Sequence, residues 1–192
     1  MNIAPSDIKS RPVYAPLQPD PAATRHWLVL ETGAINRKTV DELIEMFRPV
    51  ASSLQMWTVG SGNAASTALQ VLPDLSALSQ ALRDRGPFHV SDRFYAQGTE
   101  PFLWSVAGEA GQVGFTPAQI RLAHTGSLRR RVWCTHCHGL TENVTTQVVA
   151  CAGCGRHLLV RDHFSRRHAA FMGVMVDAEV PGERPAIEEV FP

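Results

Sequence analysis

Cys134-Thr135-His136-Cys137, followed thirteen residues later by Cys151-Ala152-Gly153-Cys154-Gly155, holds every cysteine of the chain in two C-x-x-C pairs. A C-x-x-C turn brings two thiolates to one metal ion, and a second such turn completes a tetrahedral all-sulfur shell. The thirteen-residue connection is long enough for a hairpin and slightly shorter than the usual zinc-ribbon arm. Two disulfides or four idle thiols use the same four residues, but structural zinc sites follow this grammar, so Cys134, Cys137, Cys151 and Cys154 are read as metal ligands. Zinc is the expected ion, with rubredoxin-type iron as the alternative that the same shell accepts. His136 and His138 flank the first pair. With four well-spaced cysteines neither is needed as a ligand.

Charge is uneven around this stretch. Arg121 to His168 holds eight arginines, six of the eight histidines, and only Glu142 and Asp162 as acids. Ala169 to Pro192 then carries five acids and one base. A basic metal module over 126–176 is thus followed by an acidic tail over 177–192, which charge complementarity can fold back onto the module. Within the module, Arg161-Asp162-His163-Phe164-Ser165-Arg166-Arg167-His168 is the densest polar cluster. Arg161, His163, Arg166 and Arg167 are read as a partner-binding surface rather than a catalytic one, and Asp162 alternatively as an internal counter-ion. The run Arg129-Arg130-Arg131 suits phosphates, but eighteen basic and eighteen acidic residues cancel over the chain, which argues against a nucleic-acid partner.

Before the module, residues 25–125 alternate strand and helix signals. His26 to Leu30 is a short apolar run, and Leu54 to Val59 is a second. Between them Thr39 and Glu42 fit a capping box, with Val40, Leu43, Ile44 and Phe47 on one helical face. Leu75, Leu78 and Leu82 mark another helix, Phe88 to Val90 with Arg93 to Ala96 a third strand, and Phe102, Leu103, Val106 and Ala110 a helix capped by Thr99. Ile120 to Ala123 is a final strand. The expected fold class is α/β: a small parallel sheet with helical cover, then a zinc ribbon. Residues 1–24, with prolines at 5, 12, 16, 19 and 21, read as an extended arm.

Gly60-Ser61-Gly62-Asn63-Ala64-Ala65 fits the loose dinucleotide fingerprint, yet no acid stands at the end of a following strand about twenty residues on. A glycine-rich turn is the preferred account. No Ser/His/Asp set or carboxylate pair has a spacing that demands chemistry. The N-terminus lacks the blocks of a signal peptide, no segment reaches the length of a membrane span, and cysteines gathered for a metal suit a reducing cytoplasm.

Two resemblances are carried by particular residues. Gly126 to Val132 leading into Cys134, and Cys154 through Arg167 continuing to Val174, resemble the small accessory subunit of bacterial dimethylamine monooxygenase, a haem-dependent oxidative N-demethylase complex. Val160 to Val174 is the most specific part. The resemblance implies work beside a haem-binding oxygenase subunit, a flavin and iron–sulfur reductase, and a tetrahydrofolate-binding subunit. It leaves this chain an accessory or assembly role, with electron transfer by an iron-loaded site as the alternative. Asp74 to Thr125 is similar to the end of the nucleotide lobe of ferredoxin-reductase-type flavoproteins. Gln97 stands where that family has a turn cysteine, and the first strand lacks a phosphate turn, which implies a degenerate lobe kept as scaffold.

Overall fold

The computed structural model describes residues 10–62 and 66–192. They form two compact units. One is Tyr14–Gly126; the other joins Ser127–Pro192 to Met1–Val13, of which residues 1–9 lie outside the described part. The arm expected over residues 1–24 thus contributes to both units, and its first nine residues lie outside the described ones. So do Asn63, Ala64 and Ala65 of the glycine motif.

The first unit is an α/β layer structure. Strands β1 (His26–Glu31), β2 (Leu54–Val59), β3 (Gln70–Leu72), β4 (Arg93–Gly98) and β5 (Ile120–His124) lie in the order β3-β2-β1-β4-β5, every neighbouring pair parallel. Successive side chains of a strand point to opposite faces, and the core divides accordingly. Trp27 and Val29, Trp57 and Val59, and Phe94 and Ala96 pack beneath helices α2 (Leu75–Arg85) and α3 (Glu100–Gln112) through Leu78, Leu82, Leu103, Val106 and Ala110. Leu28, Leu30 and Tyr95 face Val40, Leu43 and Phe47 of helix α1 (Arg37–Phe47), joined by Leu17 of the arm. Central β1 is buried on both faces, so it reads as an unbroken apolar run.

Three local expectations are corrected. Helix α1 starts earlier than the capping box placed it: Asn36 is the cap, its side chain accepting the Thr39 N–H at 3.0 Å, while Glu42 pairs with Lys38 one turn back. Phe88–Val90 lies outside β4, because the buried Asp92 carboxylate binds Arg25 and accepts the His89 N–H and so gathers the preceding residues into a turn. After Gly60 and Gly62 the chain leads to the short parallel strand β3, and no helix starts among the described residues between them.

In the second unit, strands β6 (Arg130–Cys134), β7 (Leu140–Val144), β8 (Val148–Ala150), β9 (His157–Ser165) and β10 (Ala170–Met175) lie in the order β7-β6-β10-β9-β8. All pairs are antiparallel except β6 with β10. Gly173 makes the centre of this sheet possible. A Cβ there would stand 2.6 Å from Val132 Cγ1 and 2.9 Å from Leu158 Cδ1, closer than packing tolerates. The last residues return to the sheet through backbone bonds: Val190 and Phe191 N–H to Thr145 O, each 2.8 Å, and Leu128 N–H to Pro192 O at 2.8 Å. The tail therefore docks by main-chain pairing together with the Gln147 side chain, which accepts the Glu188 N–H and donates to Ala186 O, both at 2.7 Å.

Candidate metal centre

The four cysteines sit at the tips of two hairpins. Cys134 ends β6 and Cys137 lies in the turn to β7; Cys151 follows β8 and Cys154 lies in the turn to β9. The two turns are built alike. The His138 N–H donates to Cys134 O and the Gly155 N–H to Cys151 O, both at 2.9 Å. In each, the residue after the second cysteine has a left-handed backbone, φ 62° at His138 and 72° at Gly155. Gly139 and Gly153 keep the centre open, since a Cβ on either would come within 3.3 Å or 3.2 Å of Cys137 Sγ. The same two glycines donate their N–H groups to sulfur, Gly139 to Cys137 and Gly153 to Cys151, both at 3.4 Å.

All four sulfurs lie within 4.8 Å of one another. Cys134 and Cys154 are 3.9 Å apart and Cys137 and Cys151 3.6 Å, so none is bonded as a disulfide. Sulfurs held about 2.3 Å from a tetrahedral zinc ion stand about 3.8 Å from each other. The two distances bracket that edge length, and the donor set fits zinc and iron alike. The thiols share their acidity unequally. Burial works to raise the Cys151 thiol, but N–H donors from Cys154 and Gly153 and the neighbouring thiols outweigh it and bring it down to about 6. Cys154 is also lowered, chiefly by the Arg156 N–H. At Cys137 the Gly139 N–H lowers the thiol, but burial and the other three sulfurs together push it up to about 11. The four sulfurs together could hold a metal ion, which would take the place of the proton that the raised Cys137 thiol keeps.

The histidines stand aside. His138 stacks on Trp133 at 5.1 Å, and His168 also stacks on Trp133 at 5.0 Å, the rings within 12° and 6° of parallel. His136 belongs to no ligand group among the described residues. The cluster read as a partner surface is split. His163 Nδ1 lies 3.4 Å from Ser10 Oγ, so it faces the N-terminal segment, where Ser10 N–H also donates to Asp162 O. Arg166 and Arg167 are exposed in the turn between β9 and β10, and Arg161 is half-buried.

Asp162 is an internal counter-ion. Its carboxylate accepts from Arg130 at 2.8 Å and Arg11 at 2.6 Å. Burial raises its pKa, and these two guanidinium groups overcome that and hold it below the ordinary carboxylate value. Arg130 is only 5% exposed and lies between the rings of Phe171 and Phe191, 3.8 and 3.6 Å from their centres. Its place was readable from alternation: Arg130, Val132 and Cys134 share the inner face of β6, whereas a run of three arginines suggests a uniform basic surface. Arg131 instead binds Glu142 at 2.6 Å. Two members of the run offered to phosphates are thus engaged within the unit.

Residues 131–174 match the family described as dimethylamine monooxygenase subunit DmmA-like, C-terminal domain. Over 173 residues, 90% of this chain and 91% of the relative, the sequence is 29% identical to the heme-dependent oxidative N-demethylase delta subunit of Ectopseudomonas mendocina (strain ymp). No solved structure matches the chain. No helix among the described residues is long and apolar enough to cross a membrane. The hairpins that gather the four thiols thus fall inside the segment similar to the DmmA-like C-terminal domain, within a chain similar nearly end to end to an N-demethylase subunit.

Proposed function

We propose that this chain is a non-catalytic, zinc-binding accessory subunit of a multi-component amine-oxidising complex of the dimethylamine monooxygenase type, working in the cytoplasm. The observation that carries the reading is similarity over nine-tenths of both chains to a delta subunit, with a four-thiolate cluster inside the family-matched segment. Zinc here acts in folding, because structural zinc contributes its binding free energy directly to the fold that presents the thiolates. The partners are a haem-binding oxygenase subunit, a flavin and iron–sulfur reductase, and a tetrahydrofolate-binding subunit. Arg161, His163, Arg166 and Arg167 supply the docking surface, with the exposed pair Arg166 and Arg167 at its centre.

Co-expression with those three subunits tests the role. The expected result is co-purification of a stoichiometric complex containing one zinc per accessory chain. Arg166→Glu with Arg167→Glu should abolish assembly and leave the zinc content unchanged, since bidentate guanidinium–carboxylate contacts at an interface do not survive charge reversal. A chain that stays monomeric in the presence of all three partners refutes the role.

A second reading makes the cluster a rubredoxin-like electron carrier between reductase and haem. Its support is the pair of N–H donors aimed at Cys137 and Cys151 sulfur, which stabilise a four-thiolate iron centre as well as zinc. Metal analysis separates the two: zinc has no redox role, and ferric thiolate iron is red. Colourless protein with zinc removes the carrier. A gel shift at low salt disposes of nucleic-acid binding in the same way.

A further inference from the structure

Open parallel sheets take ligands outside the carboxyl ends of the strands, at the point where the strand order reverses. In the order β3-β2-β1-β4-β5 that point lies between β1 and β4, with the start of α3 directed at it. An anionic cofactor bound there would need unengaged backbone N–H groups and a helix N-terminus. The start of α3 is already engaged. The Glu31 carboxylate, at the end of β1, accepts the Thr99 N–H at 2.5 Å and the Thr99 hydroxyl at 3.1 Å. Thr99 is the residue before α3, and its side chain caps nothing else in the helix. Gly98 permits this: a Cβ there would lie 2.7 Å from both Glu31 Cβ and Oε2.

The neighbouring N–H groups of this edge are also spent inside the fold. Thr32 donates to Val59 O at 2.9 Å, Gly60 to Leu72 O at 3.0 Å, and Thr125 to Gly98 O at 2.9 Å. Gly60 and Gly62 follow β2, whereas a phosphate turn follows the first strand at the reversal point. Beside Glu31, the arm lays Tyr14 across the same edge. Its hydroxyl donates to Glu100 Oε1 at 2.8 Å and accepts from Trp104 Nε1 at 2.9 Å, and its ring lies 5.8 Å from His124 at the end of β5.

We infer that the position where such a sheet would hold a dinucleotide phosphate is taken by the chain's own Glu31 carboxylate, so that this unit takes no nicotinamide or flavin nucleotide. Glu31 stands in for the phosphate at the start of α3, and the lobe is self-ligated. This goes beyond the accessory role and is independent of it, since assembly and nucleotide binding are read by different experiments.

The full-length protein is titrated with NADPH, NADH, FAD and inorganic pyrophosphate, followed by calorimetry and thermal melting. The wild-type chain is expected to give no saturable heat and no rise in melting temperature with any of them. Glu31→Ala, once far-ultraviolet circular dichroism and a cooperative melt show it folded, is expected to gain a saturable rise with pyrophosphate that shrinks as salt is added. Glu31→Gln, whose amide oxygen can still accept from Thr99, should gain far less. Saturable binding of any of the nucleotides by wild type overturns the inference, as does a folded Glu31→Ala chain that ignores pyrophosphate. If Glu31→Ala does not fold, Glu31→Ser takes its place under the same two outcomes, and the wild-type titration decides by itself whether the unit is closed to nucleotides.

Discussion

Asp162 and Arg130 set the cost of a single change in the C-terminal unit. Arg130 is buried and flanked by two phenyl rings, so removing the Asp162 carboxylate takes a counter-ion from a desolvated guanidinium. Breaking a buried pair costs about 3–5 kcal/mol, and the partial exposure of Asp162 brings the expected loss for Asp162→Asn to about 2–3 kcal/mol. Arg11 binds the same carboxylate from a half-exposed position, and Arg11→Ala should cost less than about 1 kcal/mol. Urea titration of the two variants measures the difference. His26 gives a pH signature to the other unit. It is fully buried, with Nδ1 3.2 Å from the Tyr95 hydroxyl, and desolvation lowers its pKa below that of the unfolded chain. The unfolded state then binds the proton more readily, so stability is full above about pH 6.5 and declines as pH falls through that value. Asp92 and Asp162, whose pKa values are lowered by their arginines, add a second loss as pH falls below about 4. Melting temperatures between pH 8 and 5 should fall for wild type and flatten for His26→Phe.

At the level of elements, the returning chain end behaves as a strand fragment. It pairs with Thr145 through two N–H groups and lays Phe191 on Arg130. Deleting residues 188–192 removes those bonds and one face of the cation–π sandwich, an expected loss of about 1–3 kcal/mol seen in thermal melts. Metal content should not change, because no cysteine depends on the tail. The strands and helices with strong patterns were legible in the sequence: β1 as an apolar run, β2 and β5 close to their bounds, α2 and α3 from their apolar spacing; Thr99 stands before α3 as expected, but its hydroxyl donates to Glu31 instead of capping the helix. What escaped was set by contacts distant in sequence. Strand β3 has three residues, two of them exposed, too few to show a period. The turn before β4 depends on Asp92 meeting Arg25, sixty-seven residues away. The tail was read by its acids, but main-chain groups, the Gln147 side chain and Phe191 on Arg130 dock it. The gathering of the four cysteines was the clearest case, because it resides in spacing alone.

For the whole molecule, two compact units with separate cores imply separable unfolding. Chelation, or Cys134→Ser, should release the metal and expose residues 127–192 to protease while 14–126 survives as a resistant core. Limited proteolysis read by mass spectrometry checks this, and uniform digestion would mean that the units unfold together. The asymmetry follows from what each core contains. The α/β unit buries Trp27, Trp57, Phe47, Phe94 and Tyr95, whereas the smaller unit adds few large side chains beyond Phe164 and Phe171. A small domain with a thin core generally relies on a metal or disulfides for stability.

The stacking of His138 and His168 on Trp133 makes the centre optically addressable. His138 is the residue that closes the first cysteine turn, so its imidazole stays on the indole only while that turn keeps its shape. Indole emission responds to a neighbouring imidazole, and loss of the ion should separate the rings. A protein in which the other three tryptophans are replaced by phenylalanine would then report metal loading and release in real time, without a label and without touching a ligand.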